Sequence, residues 1–197
     1  LEQREAPPLA VVAPPIPQPD ARRAPTRPPL PRPATPFVGR ETQLAEVRAL
    51  LARPEVRLLT LTGVGGTGKT RLALQVAAGM VENYRDGVYL IELAPLRDPA
   101  SVVPTIAAAL GVHESGSTSL IEILQYTLRD KARLLVIDNF EHVVEAAPAV
   151  SELLAAAPEL KVLATSRAPL HVYGEHEYAV PPMEVPCPRA LPSLERL

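Results

Sequence analysis

The run Gly63-Val64-Gly65-Gly66-Thr67-Gly68-Lys69-Thr70 satisfies every fixed position of the pattern G-x-x-x-x-G-K-[ST]. Each residue type in it has a physical reason. Backbone N–H groups can wrap a phosphate only if side chains stand clear. Glycines at 63, 65, 66 and 68 give that clearance and tolerate unusual dihedrals. A helix starting near Lys69 would aim its unsatisfied N–H groups and the positive end of its dipole at the anion. Lys69 is then expected to reach the outer phosphates, and the Thr70 hydroxyl to hold Mg²⁺. Val64, Thr67 and Arg71 fall within the same contact stretch. A chance glycine-rich turn is the alternative. It lacks the apolar strand before the loop and the amphipathic helix after it, both of which this chain has.

Further along, Leu134-Leu135-Val136-Ile137 is an aliphatic run that ends in Asp138. A carboxylate at the end of a buried strand sits where ligands bind open α/β sheets, and it can share Mg²⁺ with Thr70. The competing role is a cap on the next helix. Asn139 stands where many hydrolytic phosphate-loop enzymes carry a second acid. It cannot take a proton as a carboxylate can, so slow hydrolysis is expected. Glu141 is the nearest alternative base, and equally an acid suited to the first turn of a helix. Arg167, after Thr165-Ser166, could approach a terminal phosphate or could be a surface arginine. The four histidines show no metal-ligand spacing, and one cysteine cannot build a zinc site.

The elements that must position these residues follow from periodicity. Helices are expected over 41–52, 69–81, 98–111 (with Pro104 restarting it and Gly111 ending it), 119–130 and 148–157. Strands are expected over 57–62, 88–93, 133–137, 161–165 and, more weakly, 177–180. Ser119 and Glu122 have capping-box spacing. Strands alternating with helices, two of them continuously aliphatic, predict an α/β fold. This is a three-layer sandwich around a mostly parallel five-stranded sheet, as in phosphate-loop NTPases.

Composition bounds the rest. Prolines number 24, half of them before Phe37, so residues 1–36 read as a disordered, extended linker. At about 3.1 Å per residue it could reach on the order of 100 Å. Such a tether, and the missing initiator Met, suggest a piece of a longer protein. The globular domain is expected over 37–183, with an irregular segment at 184–197. A net charge of −2 offers no strong pull on nucleic acid or anionic membrane. No run reaches the roughly 20 apolar residues of a membrane span, and Cys187 alone suits a reducing cytoplasm.

Thr35-Pro36-Phe37-Val38-Gly39-Arg40-Glu41, the glycine loop, Leu134–Glu141 and Leu163–Arg167 occur in an order and spacing that resemble the STAND ATPases, the NB-ARC-like signal-transduction class. Bacterial multidomain regulators of the SARP and LuxR-associated types are the nearest look-alikes, and Gly174–Tyr178 also looks like theirs. The resemblance implies that Val38, Gly39 and Arg40 contact the adenine end. It gives phosphate and Mg²⁺ to Lys69 and Thr70, metal to Asp138 and the γ-phosphate to Arg167. It implies an ADP-bound resting state and an ATP-bound, often oligomeric, active state, with attached sensor and effector domains. Nucleic-acid contact would belong to those domains. It also implies a small helical domain beyond this segment. A non-hydrolytic nucleotide-binding scaffold and a small-molecule kinase are the competing readings. The second lacks a lid-like arginine cluster.

Overall fold

The structure, a computed structural model, describes residues 30–31, 35–114 and 116–183. The expected linker before Leu30, the segment 184–197 and Cys187 lie outside the described residues.

Helices α1 (Glu41–Ala52) and α2 (Lys69–Ala78) lie on one face of the sheet. On the other face lie α3 (Val102–Leu110), α4 (Leu120–Leu128) and α5 (Ala147–Ala156). The strands are β1 (Leu58–Thr62), β2 (Val88–Glu92), β3 (Leu134–Asp138), β4 (Lys161–Thr165) and β5 (Glu175–Ala179). Their order in space is β2-β3-β4-β1-β5, and every pairing is parallel, so the sheet is wholly rather than mostly parallel. From β1 the chain crosses to the far edge and walks back, which inserts β4 between β1 and β3.

Burial on both faces explains the aliphatic strands: all five residues of β1 and of β3 are buried. Successive side chains enter opposite layers, Leu135 and Ile137 meeting α3–α5 while Leu134 and Val136 meet α1–α2. The expected elements all form, with shifted ends. Helix α2 stops at Ala78 because Gly79 caps it, and Val81–Asn83 forms a separate 3₁₀ turn. Strand β5 starts two residues earlier than expected and is mostly exposed; among the described residues it pairs on one side only, so its residues Glu-His-Glu-Tyr-Ala carry little apolar signal. Gly111 adopts the left-handed conformation that ends α3, and the Glu122 carboxylate reaches back to the Ser119 N–H at 3.1 Å. On α2, Leu72, Ala73, Val76 and Ala77 are buried, whereas Leu74 is half-buried.

Three polar ties hold the layers in place. Lys161 donates to the carbonyls of Leu51 and Arg53 at the end of α1, both at 2.6 Å, and burial lowers its pKa. The Tyr178 hydroxyl donates to Glu46 at 2.5 Å; burial and that carboxylate push the phenol up to about 12. At the opposite end of the sheet from the glycine loop, Asp86 accepts from the Ala132 N–H at 3.0 Å and pairs with Lys131 and Arg85. Burial works to raise the Asp86 carboxyl, but the amide and the two cations outweigh it and hold it below its ordinary value.

Asp86→Ala is expected to cost about 1 kcal/mol of stability at neutral pH. Because the folded pKa is depressed, this contribution is full above the unfolded value near 3.8 and is lost as pH falls through the lower folded value. Urea denaturation of both proteins from about pH 7 to pH 3 should show the difference shrinking toward zero at the acid end.

Candidate functional site

The carboxyl ends of β1, β4 and β3 open on one cleft of about 490 Å³. Gly65, Gly66, Gly68, Lys69, Thr70, Arg71 and Leu74 line one side, and Asn139, Glu141, Thr165 and Arg167 the other. This is the crevice where open parallel sheets bind ligands.

The glycine loop has the build of an anion cradle. Gly66 and Gly68 have φ of +81° and +82°, which L side chains rarely adopt. Gly63 is needed for space as well, since a Cβ there would come within 3.1 Å of the Val180 carbonyl. At Gly65, Gly66 and Gly68 a Cβ would meet no atom of the described residues within 4 Å, so the space beside the loop is open there. Among the described residues, the N–H groups of Gly65, Gly66, Gly68, Lys69 and Thr70 have no protein acceptor. The Thr67 N–H has only a long contact of 3.5 Å to Val64. Unpartnered amides around a positive helix end are a donor set for phosphate. Lys69 folds against its own loop, donating to the carbonyls of Gly63 at 2.7 Å and Val64 at 3.1 Å.

Asp138 is the hub opposite. Its Oδ1 accepts from the Thr70 hydroxyl at 2.7 Å and from the Thr165 hydroxyl at 2.5 Å, and the residue is 6% exposed. Thr165 in turn accepts from the Asn139 N–H at 3.0 Å. Two hydroxyls and a carboxylate at one point form the hard oxygen donor set that suits Mg²⁺. Thr165 went unnoticed in the sequence beside Arg167; its one signal is a hydroxyl residue at the last position of a buried strand. Asn139 is in the left-handed region, φ 61°, which asparagine tolerates better than most residues. The fully buried Phe140 anchors the 3₁₀ turn behind it.

The remaining expected site residues divide. Glu141 and Arg167 both line the cleft and pair with each other, Nε to Oε1 at 3.2 Å. Val38, Gly39 and Arg40 are not among the residues lining the cleft, and Val38 is 66% exposed. Arg40 is buried, and its Nη2 donates both to the Thr67 carbonyl at 2.8 Å and to the Pro181 carbonyl at 2.7 Å. Arg71 lines the cleft, while its guanidinium holds the carbonyls of Thr35 and Pro36. Leu74 supplies an apolar wall.

Thr165→Val keeps the shape of the side chain but removes both of its hydrogen bonds, leaving the half-buried Asn139 amide unpaired and the buried Asp138 carboxylate one donor short. It is expected to cost about 1–3 kcal/mol in denaturant titration.

Residues 54–177 match a family model described as AAA domain. A Mycobacterium tuberculosis protein provisionally named an HTH-type transcriptional regulator is 43% identical over 140 residues, which cover 71% of this chain and 15% of that protein. The regulatory protein AfsR of Streptomyces griseus is 28% identical over 149 residues, covering 70% of this chain and 15% of AfsR. The chain thus spans about 15% of the length of these curated relatives. A solved structure of Drosophila ORC bound to DNA superposes with a TM-score of 0.55 at 14% identity, covering 73% of this chain and 43% of that one; the likeness is of fold. The matched region holds the parallel sheet, the glycine loop and Asp138 together, and on that match the chain belongs to the AAA domain family of P-loop ATPases.

Proposed function

We propose that this chain is the ATP- and ADP-binding module of a signal-transduction ATPase, a nucleotide-dependent switch that hydrolyses ATP slowly with Mg²⁺. The observation that carries it is the pairing of Thr70 with Asp138 at 2.7 Å beneath a loop in which the amides of Gly65, Gly66, Gly68, Lys69 and Thr70 have no acceptor among the described residues. In this reading the amides from Gly65 to Thr70 bind phosphate, and Lys69 leaves its loop carbonyls for the outer phosphates. Thr70 and Asp138 hold Mg²⁺, which neutralises phosphate charge when bound. Thr165 fixes the Asp138 carboxylate, and Leu74 offers apolar contact beside the loop. Arg167 reads the γ-phosphate. Val38, Gly39 and Arg40 serve the adenine end through backbone, since the Arg40 guanidinium is already committed to two carbonyls.

The organisation proposed is a linker over 1–36, a nucleotide-binding domain over 37–183, and a segment over 184–197 leading to a helical domain. The subclass we assign is the STAND type. The regulator names of the relatives support a place in a cytoplasmic multidomain regulator, with covalently attached sensor and effector domains that carry any DNA contact. A change of bound phosphate is a sufficient local trigger for such a rearrangement, including nucleotide-dependent self-assembly. A non-hydrolytic scaffold is the second reading, and Asn139 in place of an acid favours it.

Thermal denaturation with and without Mg-ADP tests the binding claim. Ligand at about 100 times its dissociation constant should add about 2.7 kcal/mol, and Lys69→Ala should remove the shift. A wild-type chain that ADP leaves unshifted sinks the reading. Steady-state phosphate release separates switch from scaffold. A turnover well below about 10 per second that disappears in Asp138→Ala supports the switch, and no release from the wild type supports the scaffold.

A further inference from the structure

Glu141 faces the cleft at a fixed place. It follows the fully buried Phe140, its side chain is 13% exposed, and its Oε2 is buried with no hydrogen-bond partner among the described residues. Its other oxygen takes Nε of Arg167, whose side chain is 65% exposed. The two members are therefore unequal: the carboxylate is held and the arginine is the one with room to move. A carboxylate that already lacks a partner at one oxygen gives up its remaining cation at a cost. Only a competing anion within reach of Arg167 offsets that cost.

We propose that Glu141 is the counter-ion that Arg167 must leave in order to bind a terminal phosphoryl group, and that it thereby sets the discrimination between nucleoside triphosphate and diphosphate. This rests on the nucleotide reading above. In the diphosphate state Arg167 stays on Glu141. A γ-phosphoryl group presents two or more anionic oxygens to the same guanidinium and takes it over, because a forked donor matches phosphate as well as carboxylate. Glu141 acts through Arg167, so it is a positioning and specificity residue rather than a proton acceptor. The exchange also gives the protein a charged group whose partner depends on the nucleotide.

The test uses the full 197-residue chain with Mg²⁺. Dissociation constants for ADP and for the non-hydrolysable analogue AMP-PNP are measured by calorimetry in four proteins: wild type, Glu141→Gln, Arg167→Gln and the double variant. Glu141→Gln keeps the shape and removes the competing charge. It should tighten AMP-PNP roughly threefold or more, the scale of a partly exposed ion pair, and leave ADP unchanged. In the Arg167→Gln background the same substitution should shift neither ligand. Equal tightening of both nucleotides, or tightening that survives without Arg167, marks a general charge effect and overturns the proposal. So does an AMP-PNP to ADP ratio that Glu141→Gln does not move. A wild type that binds neither nucleotide overturns the nucleotide reading itself, and binding with an unmoved ratio overturns only the role of Glu141.

Discussion

One carboxylate oxygen, Oδ1 of Asp138, ties two strand ends and the start of a helix together. It receives hydroxyls from Thr70 at the start of α2 and from Thr165 at the end of β4. Asp138 itself closes β3. An anion in so dry a position is tolerable only with such donors, since an isolated buried charge would be far too costly. The rest of the cleft depends on this join. The glycine loop is held from one side by α2, the Asn139 amide from the other by Thr165, and the mouth between them stays open. An apolar residue at 138 would pack in the strand equally well and leave the two threonines without their acceptor.

The sheet was legible in the sequence because its physics is local. Parallel strands buried on both faces read as aliphatic runs, and β3 and β4 read that way. Gly111 and the Ser119–Glu122 pair mark helix ends by backbone chemistry that tertiary context seldom overrides. Strand β5 was the least legible because its residues serve an exposed edge, where apolar side chains are not required. Leu74 gives no sign in the sequence of lining the cleft, because an apolar residue on a helix looks the same whether it faces a core or a cleft.

In the cleft, the glycine loop could be read from its residues because its function is written in main-chain geometry, and only glycine fits φ near +80° freely. The Thr165–Asp138 contact could not, since it depends on β4 lying between β1 and β3. Chain order says nothing of that. The pairing of Glu141 with Arg167 was hidden for the same reason: the two are 26 positions apart and meet only because β3 and β4 are neighbours. Asn139 has two meanings in one residue. It lacks the chemistry of an acid, and it also suits the left-handed turn that brings Phe140 into the core.

Arg40 gives the loop a mechanical address. Both hydrogens of one terminal nitrogen are spoken for, one by the carbonyl of Thr67 within the glycine loop and the other by that of Pro181 just past β5. A single planar group thus serves as a rivet through two pieces of main chain 114 residues apart (Thr67 to Pro181). Neither carbonyl can slide without dragging the nitrogen out of line with the other. A shape change in the phosphate cradle is therefore felt at the backbone leaving the sheet within one side-chain length, with no relay through the core.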